Sequence, residues 1–339
     1  MTELINKIWS YFVRRRTKKF AKSPVICTKD FSQTKKKYFR LRAKSKVISI
    51  GNLNFGGTGK TPLIVTLVSE FLPKNKKIGI VAKGYKRAVI QDLVLTEENF
   101  SDFTINQIGD EPLMLFNRLK VPISISQHKY RALINLEKTI HPDITIVDDG
   151  YQHLWIERDL NILLIDIKVL NKISKNSFIL LREPLSSIER ADLVMMPLQQ
   201  NIKLTGILPN LPIIHFHFEL DKIKPEFLYD QSKNNYIAFA GIANPQRFFN
   251  TLYEHNIDPI KKIKFGDHHN YTKDDIAKLI SLAKRKKADL ITTEKDFVKI
   301  QNFEPLFAEN NINLHCLYIK FEIIEKDLFS QILKQKLNV

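Results

Sequence analysis

Cysteine is nearly missing from this chain: two in 339 residues, Cys27 and Cys316, far apart and in no metal or disulfide spacing. That excludes a disulfide-stapled scaffold and points to a reducing, cytoplasmic setting. No uninterrupted apolar run approaches the roughly 18–20 residues of a spanning helix. A secretory apolar core with a small-residue cleavage site is also lacking, so the chain is expected to be soluble or peripheral. There is no internal repeat and no low-complexity segment. Without a G-x-G-x-x-G string a dinucleotide fold is a poor fit. No clear N-K-x-D guanine-reading string occurs either; the nearest, "TEKD", lies far along the chain.

Acidic residues are scarce at the start. Residues 1–46 hold fifteen Lys and Arg against Glu3 and Asp30, and so carry most of the net charge of +17. Such a block suits a polyanionic surface, either anionic lipid or nucleic acid, although a solvated tail has the same composition. Within "INKIWSYFVRRRTKKF", Ile5, Ile8, Trp9, Phe12 and Val13 fall near one helical face and a basic cluster follows. This pattern fits an interfacial membrane helix better than a nucleic-acid reader, and it also fits a helix packed on the protein itself.

What is plentiful is apolar: 44% hydrophobic residues and 22 Phe can fill real cores, and the length allows two domains. From Lys46 onward short β-rich runs alternate with helix-period segments. The runs are "KVISI" (46–50), "IGIVA" (78–82), "VPISIS" (121–126), "ITIVDD" (144–149), "NILLIDI" (161–167) and "RADLVMMP" (190–197). Helical periods fall at 60–72, 110–120 and 128–139. Alternation of this kind predicts a parallel sheet covered on both faces. The regularity lapses around 201–235, "PIIHFHFEL" (212–220) alternates with period two, and a second series of runs and helices follows. The expectation is an α/β fold with a P-loop NTPase-like parallel sheet core and a second, smaller α/β domain. The boundaries are 1–45 for a basic segment, 46–210 for the core and 211–339 for the smaller domain, joined by β linkers.

"GNLNFGGTGKTP" (51–62) sits where the first run meets the first helix. A phosphate-binding loop points successive backbone N–H groups at phosphate oxygens, backed by a helix N-terminus. Asn54, Phe55, Gly56, Gly57, Thr58, Gly59, Lys60 and Thr61 are read as the ATP-binding loop. Lys60 would reach the β- and γ-phosphates and Thr61 would bind Mg²⁺. Asn54 occupies the place of the loop's first glycine, and asparagine tolerates left-handed dihedrals best among the other residues. Asp148 and Asp149 end the run "ITIVDD" as a Walker B acid would; a turn-forming role is the alternative.

Six strings in order, "VISIGNLNFGGTGKTP", "GDEPLML", "DDGYQHLWIERDLNILLID", "LLREPLSSIERADLV", "FGDHHNYT" and "TTEKDFVK", closely resemble the tetraacyldisaccharide 4′-kinase family of lipid A biosynthesis, over about residues 46–300. The resemblance implies transfer of phosphate from ATP, with Mg²⁺, to the 4′-hydroxyl of a tetraacylated glucosamine disaccharide 1-phosphate. It implies that Asp110 is the catalytic base with Glu111 beside it, and that His268 of "DHH" pairs with Asp110. Asp148 would join Thr61 on Mg²⁺, Asp149, Gln152 and His153 would surround the site, and Arg182 and Glu183 of "LREP" would meet phosphate or substrate. Without the resemblance "GDEPL" reads as a helix start with favourable acids and "DHH" as a polar loop. "TTEKD" (292–296) is expected to end a second-domain strand in a structural role. Where the family usually has "SRGY" this chain has "AKGY", so Lys83 keeps the charge and loses the guanidinium fork. The expected partners are the lipid substrate and an anionic membrane surface, with no nucleic acid. The expected place is the cytoplasmic face of the bacterial inner membrane, as a peripheral monomer. Two other readings stand beside this one: a P-loop ATPase or GTPase switch whose basic arm binds nucleic acid or a partner, and a diverged scaffold.

Overall fold

The computed structural model describes residues 2–33, 38–54, 57–84, 91–166, 169, 181–198, 210–225 and 235–338. The chain divides into two compact units, Met1–His217 with Phe321–Val339, and Phe218–Lys320.

The first unit is built on strands β1 (Val25–Cys27), β2 (Arg40–Arg42), β3 (Lys46–Asn52), β4 (Ile78–Ala82), β5 (Leu93–Leu95), β6 (Ile123–Ile125), β7 (Ile144–Asp148), β8 (Leu160–Leu164), β9 (Leu193–Pro197) and the start of β10 (Ile213–Lys224). β1 and β2 form a small parallel pair. The main sheet runs β5-β6-β4-β7-β3-β8-β9-β10, with only β5 antiparallel. Every residue of β3 after Lys46 is buried, and so is all of β7 and β8. Strands lacking a solvated face need helices on both sides, which is why the runs read as continuous apolar stretches instead of alternating ones. The helix Lys129–Thr139 supplies Leu133 and Leu136 against Val81 and Val147 on one such face.

Most expected elements form within a residue or two of their predicted places. The segment 60–72 is a helix Lys60–Thr66 that continues as a π turn, Leu67–Phe71. The N-terminal segment is a helix, Thr2–Ala21, and one stripe of it docks. Val13 and Phe20 are buried, and Phe20 packs edge-on against Trp155 (4.8 Å) and Tyr38 (5.3 Å). Arg16 lies over the Phe20 and Trp155 rings. Trp9, Tyr11 and Phe12 stay exposed at 44%, 60% and 56%. The single apolar face expected from sequence is therefore split: Val13 turns inward, while Trp9 and Phe12 do not.

The second unit carries β11 (Asn235–Ala240), β12 (Lys261–Lys264), β13 (Ala288–Thr293) and β14 (Leu314–Ile323) in the order β12-β11-β13-β14, all parallel. Helix Lys273–Lys286 covers one face with Ile276, Leu279 and Ala283 on Phe239 and Leu290. Helix Pro245–Glu254 covers the other with Phe249 and Leu252 on Ala238 and Ile291.

The expected boundaries require two corrections. The division falls inside β10, at His217/Phe218, and the chain returns to the first unit at Phe321, so residues 211–339 are not one domain. The reason lies in the last helix, Lys326–Leu337, whose apolar face belongs to the first core. Phe329, Leu333 and Leu337 are buried, Phe329 meets Phe71 at 5.0 Å, and the Thr66 hydroxyl donates to the Phe321 carbonyl at 2.9 Å. Phe329→Ala should therefore cost the first unit about 3–5 kcal/mol, the usual loss for a buried phenylalanine. Urea unfolding followed by a probe in that unit measures it. A loss below about 1 kcal/mol would mean that the helix is a loose appendage.

Candidate functional site

β3 delivers the chain into a turn and then helix Lys60–Thr66. β7 lies directly beside it, with Ile50 opposite Asp148, and β8 flanks the other side. The loops after β3 and β7 therefore leave the same end of the sheet where connections depart in both directions, the usual place for a ligand crevice in such sheets. Gly59 precedes the helix at φ 95°, a dihedral that L side chains rarely adopt. Phe55 and Gly56 lie outside the described residues, whereas Gly57 is exposed and Thr58 buried. Asn54 does not use the left-handed freedom expected of it. It is still strand-like, bridged antiparallel to Leu181, and its side-chain oxygen accepts from the Asn52 amide at 3.3 Å.

Two adjacent carboxylates face this turn. Lys60 Nζ lies 3.3 Å from Asp149 Oδ1 and 3.4 Å from Asn52 Oδ1. Arg182 Nη1 donates to both oxygens of Asp149, at 2.9 and 2.8 Å. Arg182 is itself set by the loop strand, since its N–H donates to the Leu53 carbonyl at 2.6 Å. A third cation, Lys129, is 1% exposed; its ammonium donates to the Asp148 carbonyl and, at 2.7 Å, to the Asp149 carbonyl. Asp149 adopts φ 49°, and these bonds secure that turn. Burial pushes the Asp149 carboxyl up, but Lys60, Lys129 and Arg182 outweigh it and hold it well below the usual carboxylate range.

Asp148 is the opposite case. Burial pushes it up to about 6, with Glu111 and Asp149 adding to the rise and Lys129 and Lys60 opposing it. Its Oδ1 is buried and has no hydrogen-bond partner, and neither does Thr58 Oγ1. Buried polar atoms are rarely left so unless a ligand completes them. Among the described residues no three His, Cys, Asp or Glu side chains gather as a metal cage. Mg²⁺ on a phosphate requires no cage, only one or two protein oxygens besides phosphate and water. The unpartnered Asp148 oxygen fits that demand.

The remaining predicted residues divide. Gln152 donates to the Asn52 carbonyl at 2.8 Å and so ties the two loops together. Burial, reinforced by Lys129, pushes the His153 imidazole down to about 3, leaving it neutral at pH 7. Lys83 is exposed, and its charge acts on Lys129 and His153. Asp110 and Glu111 open helix Asp110–Leu119, and the Glu111 N–H donates to Asp110 Oδ1 at 3.0 Å. Glu183 is 3% exposed and paired with Arg190, which also lies over the Tyr151 ring. It braces the turn that presents Arg182. His268 belongs to the second unit, at φ 57° in the 266–269 turn.

A sequence model of the family described as Tetraacyldisaccharide-1-P 4′-kinase matches residues 24–338. The chain belongs to this family. Among its relatives, the tetraacyldisaccharide 4′-kinase of Rickettsia canadensis is 31% identical, over 87% of this chain and 86% of that one. The one from Geobacter metallireducens is 32% identical over 77% and 81%. The fold is that of LpxK from Aquifex aeolicus, solved as an "apo" form in complex with ATP, with TM-score 0.73 and 24% identity over 98% of this chain and 97% of that one. The expected α/β class and P-loop-like core are borne out.

Sequence reasoning passed over Lys129 and Arg158. Arg158 donates to the carbonyls of Tyr151 (3.3 Å) and His153 (2.8 Å) and to Asn161 Oδ1 (3.2 Å), fixing the loop after Asp149. Lysines are almost never fully buried, so a lysine opening a helix gave no signal. Arg158 lies within a quoted family string, but nothing in that string marks it as inward-facing.

The raised carboxyl of Asp148 has a thermodynamic consequence for this kinase. Its folded pKa lies above the ordinary 3.8, so its contribution to stability is complete below that value and is lost as pH rises through about 6. Asp148→Asn should therefore raise Tm at about pH 8 and leave it nearly unchanged at about pH 4. Thermal unfolding at the two pH values decides this, and an equal shift at both would remove the charge explanation.

Proposed function

We infer that this chain transfers the γ-phosphoryl group of ATP to the 4′-hydroxyl of a tetraacylated glucosamine disaccharide 1-phosphate, giving the 1,4′-bisphosphate. Membership of the kinase family over residues 24–338 carries the reading, and the converging Lys60, Asp148, Asp149 and Arg182 support it. The bond from γ-phosphorus to the bridging oxygen breaks, one to the sugar 4′-oxygen forms, and the hydroxyl proton leaves to a base.

The protein's task in such a transfer is positioning and charge neutralisation. Lys60 sits at the start of its helix and is assigned the β- and γ-phosphates. The Thr61 hydroxyl and Asp148 are assigned Mg²⁺, which would neutralise charge on the transferred phosphoryl. Lys60 also pairs with Asp149, a contact that an arriving triphosphate would replace. Asp110 is assigned the base, Glu111 lies in the electrostatic reach of Asp148, and His268 is assigned a second proton-handling role. Arg182 suits phosphate oxygens on donor or acceptor. A peripheral place at an anionic membrane face is supported by Trp9, Tyr11 and Phe12, exposed beside Arg14, Arg15 and Arg16. Among the described residues no helix is long and apolar enough to cross a membrane.

Labelled γ-phosphate should pass from ATP to the tetraacyl disaccharide 1-phosphate in detergent micelles, and Lys60→Ala should abolish the transfer. Asp110→Ala should lower kcat by about 10²–10⁴, the range for a lost general base, with ATP affinity changed only a few-fold. Equal losses in turnover and ATP binding would take Asp110 out of the base role. Liposome flotation checks the surface reading: binding to anionic vesicles should fall with salt and with Trp9→Ser plus Phe12→Ser. Binding indifferent to both would refute it.

A further inference from the structure

"TTEKD" (292–296) does more than end a strand. β13 finishes at Thr293 and helix Glu294–Ile300 begins at once. Thr293 caps that helix by accepting from the Asp296 N–H at 3.2 Å. Asp296 is completely buried. Its Oδ2 accepts from the Thr293 hydroxyl (2.8 Å) and the Gly241 N–H (2.9 Å), and its Oδ1 from Lys299 (3.1 Å). Gly241 in turn accepts the His268 N–H on its carbonyl at 3.1 Å. A Cβ at 241 would lie 3.0 Å from Asp296 Oδ1 and 3.2 Å from the Gly266 carbonyl, so glycine lets these three segments close together. The left-handed backbone of His268 is thus held from behind by a buried carboxylate.

The side chain is held as well. Lys295 Nζ lies 3.2 Å from His268 Nε2. An ammonium group has hydrogens to donate and no lone pair to accept. In this contact Nε2 must therefore be the acceptor, and the ring hydrogen must sit on Nδ1. The neighbouring His269 is committed elsewhere: its Nε2 is 3.0 Å from Asp275 Oδ2 and its ring stacks on Phe265 at 4.7 Å.

We propose that Lys295 is a positioning residue that fixes the tautomer of His268, so that His268 presents an Nδ1–H donor. The proposal rests on the reading of His268 as a proton-handling group in the kinase. With Nε2 occupied by a fixed donor, the imidazole can give a hydrogen bond through one defined nitrogen. Loss of Lys295 removes the donor that holds Nε2 as an acceptor.

The test uses full-length protein labelled with ¹⁵N at its histidines, with His268 assigned through His268→Gln. Long-range ¹H–¹⁵N correlation distinguishes a protonated ring nitrogen from one with a free lone pair. The expected result is lone-pair Nε2 and protonated Nδ1 in the wild type. A mixture or reversal is expected in Lys295→Met, and the wild-type pattern in Lys295→Arg, whose guanidinium also only donates. Turnover should follow: Lys295→Met lowers kcat by about tenfold or more at unchanged KM for ATP, and Lys295→Arg recovers to within about threefold. A hydrogen on Nε2 in the wild type overturns the proposal. So does a Lys295→Met protein that loses activity with its tautomer unchanged. Full activity in His268→Gln would instead overturn the role given to His268, and the ¹⁵N result on the tautomer would stand apart from it.

Discussion

Two adjacent carboxylates in one crevice, one of them buried and the other half-buried, are tolerable only because three cations converge on them, and much of the first unit exists to bring those cations in. Lys60 comes from the helix after β3, Lys129 from the helix before β7 and Arg182 from a turn clipped to Leu53. Each cation takes a different part of the task. Lys60 and Arg182 neutralise the Asp149 side chain. Lys129 acts on both carboxylates through its charge, while its ammonium bonds the Asp148 and Asp149 carbonyls at the left-handed turn. With Asp149 fully provided for, Asp148 retains a buried, unpartnered oxygen and a raised pKa. The two acids share a strand end, yet their surroundings drive them apart: one is held as an anion and the other is pushed toward its neutral form. Perturbation of this kind, in opposite directions at neighbouring residues, is a mark of functional crevices.

Such an arrangement is poor for the stability of the folded protein. A carboxylate forced to ionise in a dry crevice lowers the folded state's advantage near neutral pH, and a cation bound to it restores what is lost. The scaffold around the crevice adds buried polar contacts of its own. Glu183 and Arg190 form a buried pair over Tyr151, whose hydroxyl donates to the Ser187 carbonyl. Arg158 spans four acceptors, the carbonyls of Tyr151, His153 and Ile156 and the side chain of Asn161. Breaking such a pair leaves an uncompensated buried charge, so residues like these are held as firmly as those that meet substrate.

The sequence made the sheet legible because fully buried parallel strands must read as apolar runs, and "KVISI", "ITIVDD" and "NILLIDI" do. It made the loop legible because few backbone conformations other than a phosphate cradle call for G-G-T-G-K-T between strand and helix. Lys129 was illegible for a converse reason: a charged side chain gives no sign of burial until its acceptors are placed, and those acceptors are main-chain carbonyls. Asn54 misled because its type suggested a left-handed turn while its pairing with Leu181 keeps it extended. The last helix was assigned to the wrong unit because amphipathicity says that a face is covered and not by what; only Phe71 and the sheet of the first unit settle it.

That return of the chain has a consequence of its own. Unit Phe218–Lys320 is an insertion, entered through β10 and left through β14. The two crossings are fastened together within the first unit. Phe216 stacks on Phe321 at 4.1 Å, the His215 N–H and ring meet Glu325 at 2.7 and 2.8 Å, and the Ile324 N–H returns a bond to the His215 carbonyl at 3.0 Å. An insertion pinned at both ends has fewer conformations open to it than one hung from a single linker. The groups it carries, His268 and Lys295 among them, sit on an element with its own core. The precision of the His268 turn is set inside that unit, by Asp296 and Gly241. The first unit needs only to hold the two strand ends, and the clasp between His215 and Glu325 does that with bonds from both main chain and ring.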